Sequence, residues 1–101
     1  MSDKRMKTVL YLGLTTMDGI KLSPSTILQW ITTVMRGSNG YTTSMAMGNW
    51  NNQDEQTIIV TQIGEGTAKS LELRSLGGKY KHQFQQETVL LEESLVDVEF
   101  L

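Results

Sequence analysis

Residues able to do chemistry are few in this chain, and the most suggestive of them lie between Gly64 and Ser70. In Gly64-Glu65-Gly66-Thr67-Ala68-Lys69-Ser70 the glycines let the backbone turn tightly and free several N–H groups just before a helix. The helix N-terminus adds positive potential, and Lys69, Thr67 and Ser70 add donors, so the segment predicts a cradle for a phosphate-bearing small molecule. Its likeness to a Walker loop ends at Lys69-Ser70: the Gly-x-x-x-x-Gly-Lys spacing is missing, and Glu65 opposes an anion. The competing reading is a plain Gly-rich connection with Thr67 as N-cap.

Trp50, within Asn49-Trp50-Asn51-Asn52-Gln53, is the second candidate. Its ring supplies area for stacking on a base or sugar, and the surrounding carboxamides read polar edges. The alternative folds Trp50 over a sheet edge or into a subunit contact. Arg74 and Tyr80 follow on the next helix, with His82 and Gln86 nearby. His82, the single histidine, falls off the apolar stripe and reads as a surface residue. Glu87, Glu92, Glu93, Asp97 and Glu99 lack the loop spacing of a cation site and read as a solvated face. The expected ligand site is therefore Trp50, Gly64, Gly66, Thr67, Lys69, Ser70, Arg74 and Tyr80, with no catalytic residue, no metal ligand and no cofactor assigned.

Composition narrows the chemistry further. A chain of 101 residues with a formal charge of −2 is one domain spanning 1–101, since two halves would each be too small to bury a core. The absence of Cys excludes disulfide frameworks, thiolate metal sites and Cys nucleophiles, and one His excludes a multi-His metal site within the chain. The slightly acidic balance argues against a nucleic-acid polymer as partner. The apolar run Val9–Leu14 after Lys4, Arg5 and Lys7 imitates a signal-peptide entrance, but it is too short and no small-residue cleavage site follows. No membrane segment is expected, and the default compartment is the cytoplasm.

The elements that must carry these residues follow from periodicity. Thr8 to Thr15 alternates with apolar residues on both faces, which predicts a strand buried on both sides or shared with another subunit. Ser23-Pro24 starts a helix whose stripe is Ile27, Trp30, Ile31 and Val34, stopped by Gly37 and Ser38-Asn39-Gly40. Tyr41 to Trp50 predicts a second strand with Met45 and Met47 on one side. A polar loop over Asn49–Glu55 then leads to a third strand, Gln56 to Ile63, in a hairpin. A second helix carries Leu73, Leu76, Tyr80 and Phe84; Gly77-Gly78 either breaks it or, through Gly77 on the stripe, allows close approach to the sheet, the reading favoured here. Val89 to Phe100 alternates as a last strand, bent or divided at Glu92-Glu93-Ser94. The order β-α-β-β-α-β predicts a ferredoxin-like α+β fold, a four-stranded antiparallel sheet with two helices on one face.

The run Tyr80-x-x-x-Phe84-x-Gln86-Glu87-x-Val89-Leu90 resembles the C-terminal signature of a family of small bacterial proteins of unassigned function. Tyr11-Leu12-Gly13, the Asp18-Gly19 turn before the Trp30 helix, and Gly48-Asn49-Trp50 resemble further features of that family. The chain departs from it in lacking an export leader and in replacing a Pro-containing turn with Arg36-Gly37-Ser38-Asn39-Gly40. The resemblance implies a ferredoxin-like fold and no activity.

Three functions compete. The first is a non-enzymatic module that binds or sequesters a small anionic ligand, such as a nucleotide or nucleotide-derived signal. The second is a structural, protein–protein role for the sheet face, and the third a small enzyme working in a dimer cleft with Tyr, His and a carboxylate. They rank in that order, because a chain with so few catalytic candidates suits binding best. A homo-oligomer is expected in each case, since two helices cover one sheet face while the first and third strands are apolar on both.

Overall fold

Alternating and helical periods place six elements along the chain. In the computed structural model, which describes residues 3–101 and Trp50 by its backbone alone, they are β1 (Asp3–Gly13), α1 (Pro24–Val34), β2 (Thr42–Trp50), β3 (Gln53–Ile63), α2 (Leu71–Gln83) and β4 (Leu90–Val98). The sheet order is β2-β3-β1-β4 with every neighbouring pair antiparallel, the ferredoxin-like α+β arrangement.

The period of two on β1 sends Leu10, Leu12 and Leu14 toward the helices. The register sets Leu10 opposite Val60 and Leu12 opposite Ile58, so the two central strands present one apolar surface. Ile27 and Ile31 from α1, and Leu73, Leu76 and Tyr80 from α2, close over it. Trp30 sits half-buried between the helices, edge-on to Phe84 at 5.1 Å and 5.7 Å from Tyr80, and its indole N–H donates to Gln83 Oε1 at 3.2 Å.

α2 runs unbroken through Gly77-Gly78. Gly77 is buried on the sheet side, where a Cβ would lie 3.0 Å from Leu10 Cδ1, whereas a Cβ on Gly78 would meet nothing within 4 Å. The first glycine permits close helix–sheet contact; the second faces open space.

Several boundaries differ from the sequence reading. β1 begins at Asp3 instead of Thr8, its polar start held against β4 by ladder pairing and the Lys4–Asp97 ion pair at 3.1 Å. The polar run Asn49–Glu55 is mostly strand: β2 and β3 continue to Trp50 and from Gln53, joined by the two-residue turn Asn51-Asn52 with φ of 51° and 61°. Asn tolerates that left-handed conformation, which matches the twist of a tight hairpin. β4 is not divided at Glu92-Glu93-Ser94 but pairs with β1 throughout. Met45 and Met47 share a face as expected, yet they stay exposed beyond the helices rather than filling the core.

The sheet face away from the helices is less apolar than its sequence pattern implied. Among the described side chains its large exposed apolar ones are Ile63 and Leu90, while Val9 is covered and Thr61, Glu92 and Ser94 interrupt the surface. Among the described residues no helix is long and apolar enough to cross a membrane.

Candidate functional site

The Gly64–Ser70 turn lies where β3 ends and α2 begins, beside the start of β1. Its two glycines are tied to β1. The Gly64 N–H donates to the Met6 carbonyl at 3.0 Å, and the Gly66 carbonyl accepts from the Met6 N–H at 2.9 Å. Gly66 does not adopt a positive φ. The N-cap of α2 is Ser70, not Thr67: its Oγ accepts from the Leu73 N–H at 3.1 Å and donates to Gln62 Oε1 at 2.6 Å.

The positive end of this helix holds the chain's own carboxylate. Glu93 Oε2 accepts from the Ser70 N–H at 3.0 Å and from Thr8 Oγ1 at 2.6 Å, while Arg74 grips Oε1 and also donates to the Ser70 carbonyl at 3.1 Å. The Arg74 hydrogen bond dominates over burial, and with Thr8 and the Ser70 N–H it holds the Glu93 carboxyl at about 2, well below the usual carboxylate range. Glu93 is thus not part of a solvated face but the internal anion of the helix terminus. Lys69 and Thr67 remain exposed outside this arrangement.

The fold keeps Gly64–Ser70 and Arg74 together but sets two of the expected ligand residues, Trp50 and Tyr80, apart from them. Trp50 closes β2 at the opposite end of the sheet, about 33 Å away along β3 at ordinary strand rise; its side chain lies outside the described residues. Tyr80 is fully buried, its hydroxyl donating to the Gly13 carbonyl at 2.5 Å. Burial, reinforced by the nearby Glu55 charge, raises the Tyr80 hydroxyl far above its ordinary value. It is a core residue rather than a ligand contact. His82 is exposed.

A different site appears at the Trp50 end, on the sheet face away from the helices. There β1 finishes, β3 and β4 begin, and the segment after α2 rises alongside, enclosing a cleft of about 500 Å³. Tyr11, Gly13, Glu55 and Thr57 form its floor, between Asn49 on one side and Gln86 to Leu90 on the other. A Cβ on Gly13 would meet the Glu55 carboxylate, so the glycine leaves room for that flexible side chain to lie over the strand. Glu55 is half-buried, and its carboxylate has no hydrogen-bond or ion-pair partner among the described residues.

The walls are fixed by hydrogen bonds. Gln86 is buried and spends its amide N–H groups on the Thr15 and Phe84 carbonyls, both at 3.1 Å. The Met17 N–H donates to the Gln85 carbonyl at 2.9 Å, which secures the rim. Tyr11 donates its hydroxyl to Glu92, and that bond, with some burial and the carboxylate's charge, raises the phenol above its usual value. The cleft therefore combines amides and hydroxyls, the carboxylates Glu55 and Glu87, and apolar contacts from Met17 and Leu90. Such a surface suits a small molecule with a polar, ring-sized body and a positive charge.

The family of proteins of unknown function DUF3574 matches residues 7–100, and the chain belongs to it. No curated protein matches the sequence. Solved structures that share the fold include a phage SAM lyase in complex with S-methyl-5′-thioadenosine, 15% identical, covering 93% of this chain and 88% of that one with a TM-score of 0.70, and a phage SAM lyase in the apo state, 15% identical, covering 94% and 89% with a TM-score of 0.73. That finding corrects the non-enzymatic expectation. The scarcity of catalytic motifs carried that expectation, and an enzyme is built on this same fold.

Proposed function

We propose that this member of the family is an enzyme acting on a small, positively charged molecule with a nucleoside part, bound in the cleft over Gly13 and Glu55. The observation that carries the reading is Glu55, a carboxylate without a counter-charge on the floor of a cleft large enough for such a ligand. The fold relative solved with S-methyl-5′-thioadenosine supports the nucleoside part, and a sulfonium such as SAM supplies the charge. The anionic ligand expected from the sequence fits less well, because Glu55 and Glu87 line the cleft and Glu93 fills the helix terminus.

Glu55 binds in this reading rather than reacts. When a sulfonium loses a carbon–sulfur bond, the electron pair returns to sulfur and the positive charge there disappears. A carboxylate that holds the cation therefore favours the bound substrate over the transition state, contributing to affinity more than to the chemical step. The hydroxyls of Thr15 and Thr57 orient the nucleoside, and Gln86 holds the wall beside them.

The test is thermal melting with SAM, S-methyl-5′-thioadenosine and ATP, together with chromatography of SAM incubations. SAM at a hundredfold excess over its Kd stabilises the fold by about 2.7 kcal/mol. The neutral thioether should give a smaller shift and ATP none. Glu55→Gln should bring the SAM shift down to that of the thioether and raise KM without lowering kcat. No SAM-dependent shift and no product with the native sequence would refute the proposal. The chain is further expected to work as a homo-oligomer; sedimentation of a single 11.3 kDa species at micromolar concentration would refute that part.

A further inference from the structure

The sheet has two free edges, β2 and β4, and they differ in chemistry. An edge strand presents unpaired N–H and C=O groups, and charged side chains or Pro normally guard it. β4 is guarded by Glu92 and Asp97. β2 reads Thr-Thr-Ser-Met-Ala-Met-Gly-Asn-Trp, without a charge or a proline over its length. On its helix side, beyond the reach of the helices, Met45 and Met47 are 48% and 64% exposed. This edge is long, neutral and apolar on one side.

We propose that β2 is the surface through which two copies of this chain join, edge to edge and antiparallel, into one continuous sheet. The proposal rests on the homo-oligomer reading above and assigns its surface. A two-fold axis through Ala46 sets Met45 of each copy against Met47 of the other, burying four flexible methionines together. On the opposite face Ala46 meets its own counterpart and Ser44 meets Gly48, small residues that let the backbones approach. Thr43 meets Asn49, and no like charges oppose each other anywhere along the pairing. The same operation on β4 sets the charged Glu92 and Asp97 against the apolar Val96 and Leu91, so the self-complementary edge is β2. Because Gly48 and Asn49 line the cleft, the second copy's Thr42–Ser44 segment would extend the cleft wall.

Sedimentation velocity and native mass spectrometry test this on the full chain. The native sequence should be a dimer. Met45→Lys with Met47→Lys places like charges across the pairing and should give a monomer with an unchanged circular dichroism spectrum, since both positions are exposed. Met45→Lys with Met47→Glu sets opposite charges across it and should restore the dimer. An oligomer that survives the double lysine variant overturns the β2 edge while leaving the homo-oligomer reading intact. A native monomer overturns both.

Discussion

Adjacent glycines in α2 should respond oppositely to the same substitution. Ala is more favourable than Gly inside a helix by about 1 kcal/mol, and that gain applies equally to Gly77 and Gly78. At Gly78 nothing opposes it, because a Cβ meets no atom within 4 Å. Gly78→Ala should therefore stabilise by about 1 kcal/mol, raising Tm by roughly 4–8 °C for a domain of this size. At Gly77 the new methyl would lie 3.0 Å from Leu10 Cδ1, with Leu10 Cδ2 and Val89 Cγ1 each at 3.7 Å. Leu10 is only 1% exposed and packed in the core, so it has little room to give. Overpacking of this kind costs about 1–3 kcal/mol, which cancels or exceeds the helical gain. Gly77→Ala should lower the midpoint or at best leave it unchanged, separating the two variants by about 1–3 kcal/mol. Urea denaturation followed by circular dichroism measures both. Equal stabilisation of the two variants would show that α2 does not rest on Leu10 through Gly77.

Glu93→Gln removes a carboxylate whose pKa is about 2 in the folded chain, against an ordinary value of 4.5. A depressed carboxyl contributes stability that is present above the unfolded value and fades as pH falls toward the folded one. The variant should be less stable than the native chain at neutral pH, with the gap closing between about pH 4.5 and 2; a gap of constant size across that window would contradict the assignment. Trp30→Ala and Phe84→Ala should each cost about 2–3 kcal/mol, below the range for fully buried aromatics because both are half-buried. An unchanged denaturation midpoint for either would show that the aromatic contacts between the helices carry no stability.

How legible these features are in the sequence depends on how local their causes are. The stripe Ile27, Trp30, Ile31, Val34 and the alternation of β1 arise from neighbours in the chain, so the elements and their order can be read directly. The Asn49–Glu55 run misleads because a hairpin end needs no apolar residues once its ladder is paired; Asn51-Asn52 is the signal for a tight turn there. Glu93 alternates like a wet strand residue, and only the fold brings Thr8, Ser70 and Arg74 to it. The cleft draws on β1 and the residues after it, the β2–β3 hairpin, and the segment from α2 into β4. Tyr11, Gly13, Gly48, Asn49, Gln86, Glu87 and Leu90 belong to the short runs that resemble the family, but they are far apart in the chain and only the fold shows that they meet. Gly13 is a further local hint, since a glycine inside a strand marks a close approach. Its meaning waits on knowing that the Glu55 side chain reaches over it.

The register Asp3 opposite Val98 has a consequence for how the molecule is made. A ribosome delivers β1 first and β4 last, yet β1 belongs between β3 and β4. The β2–β3 hairpin, closed by two asparagines, needs only local pairing and forms on the microsecond scale once exposed. Until residues 90–98 leave the tunnel, the nascent chain is at most a three-stranded sheet whose bare margin is β1, the strand carrying Val9, Leu10 and Leu12. Over the same interval Ser70 and Arg74 lack the carboxylate that anchors them. Arrival of β4 turns a sticky margin into an interior strand and fastens α2 in one step, so the interval before β4 pairs is the one in which this chain most needs shielding from its neighbours.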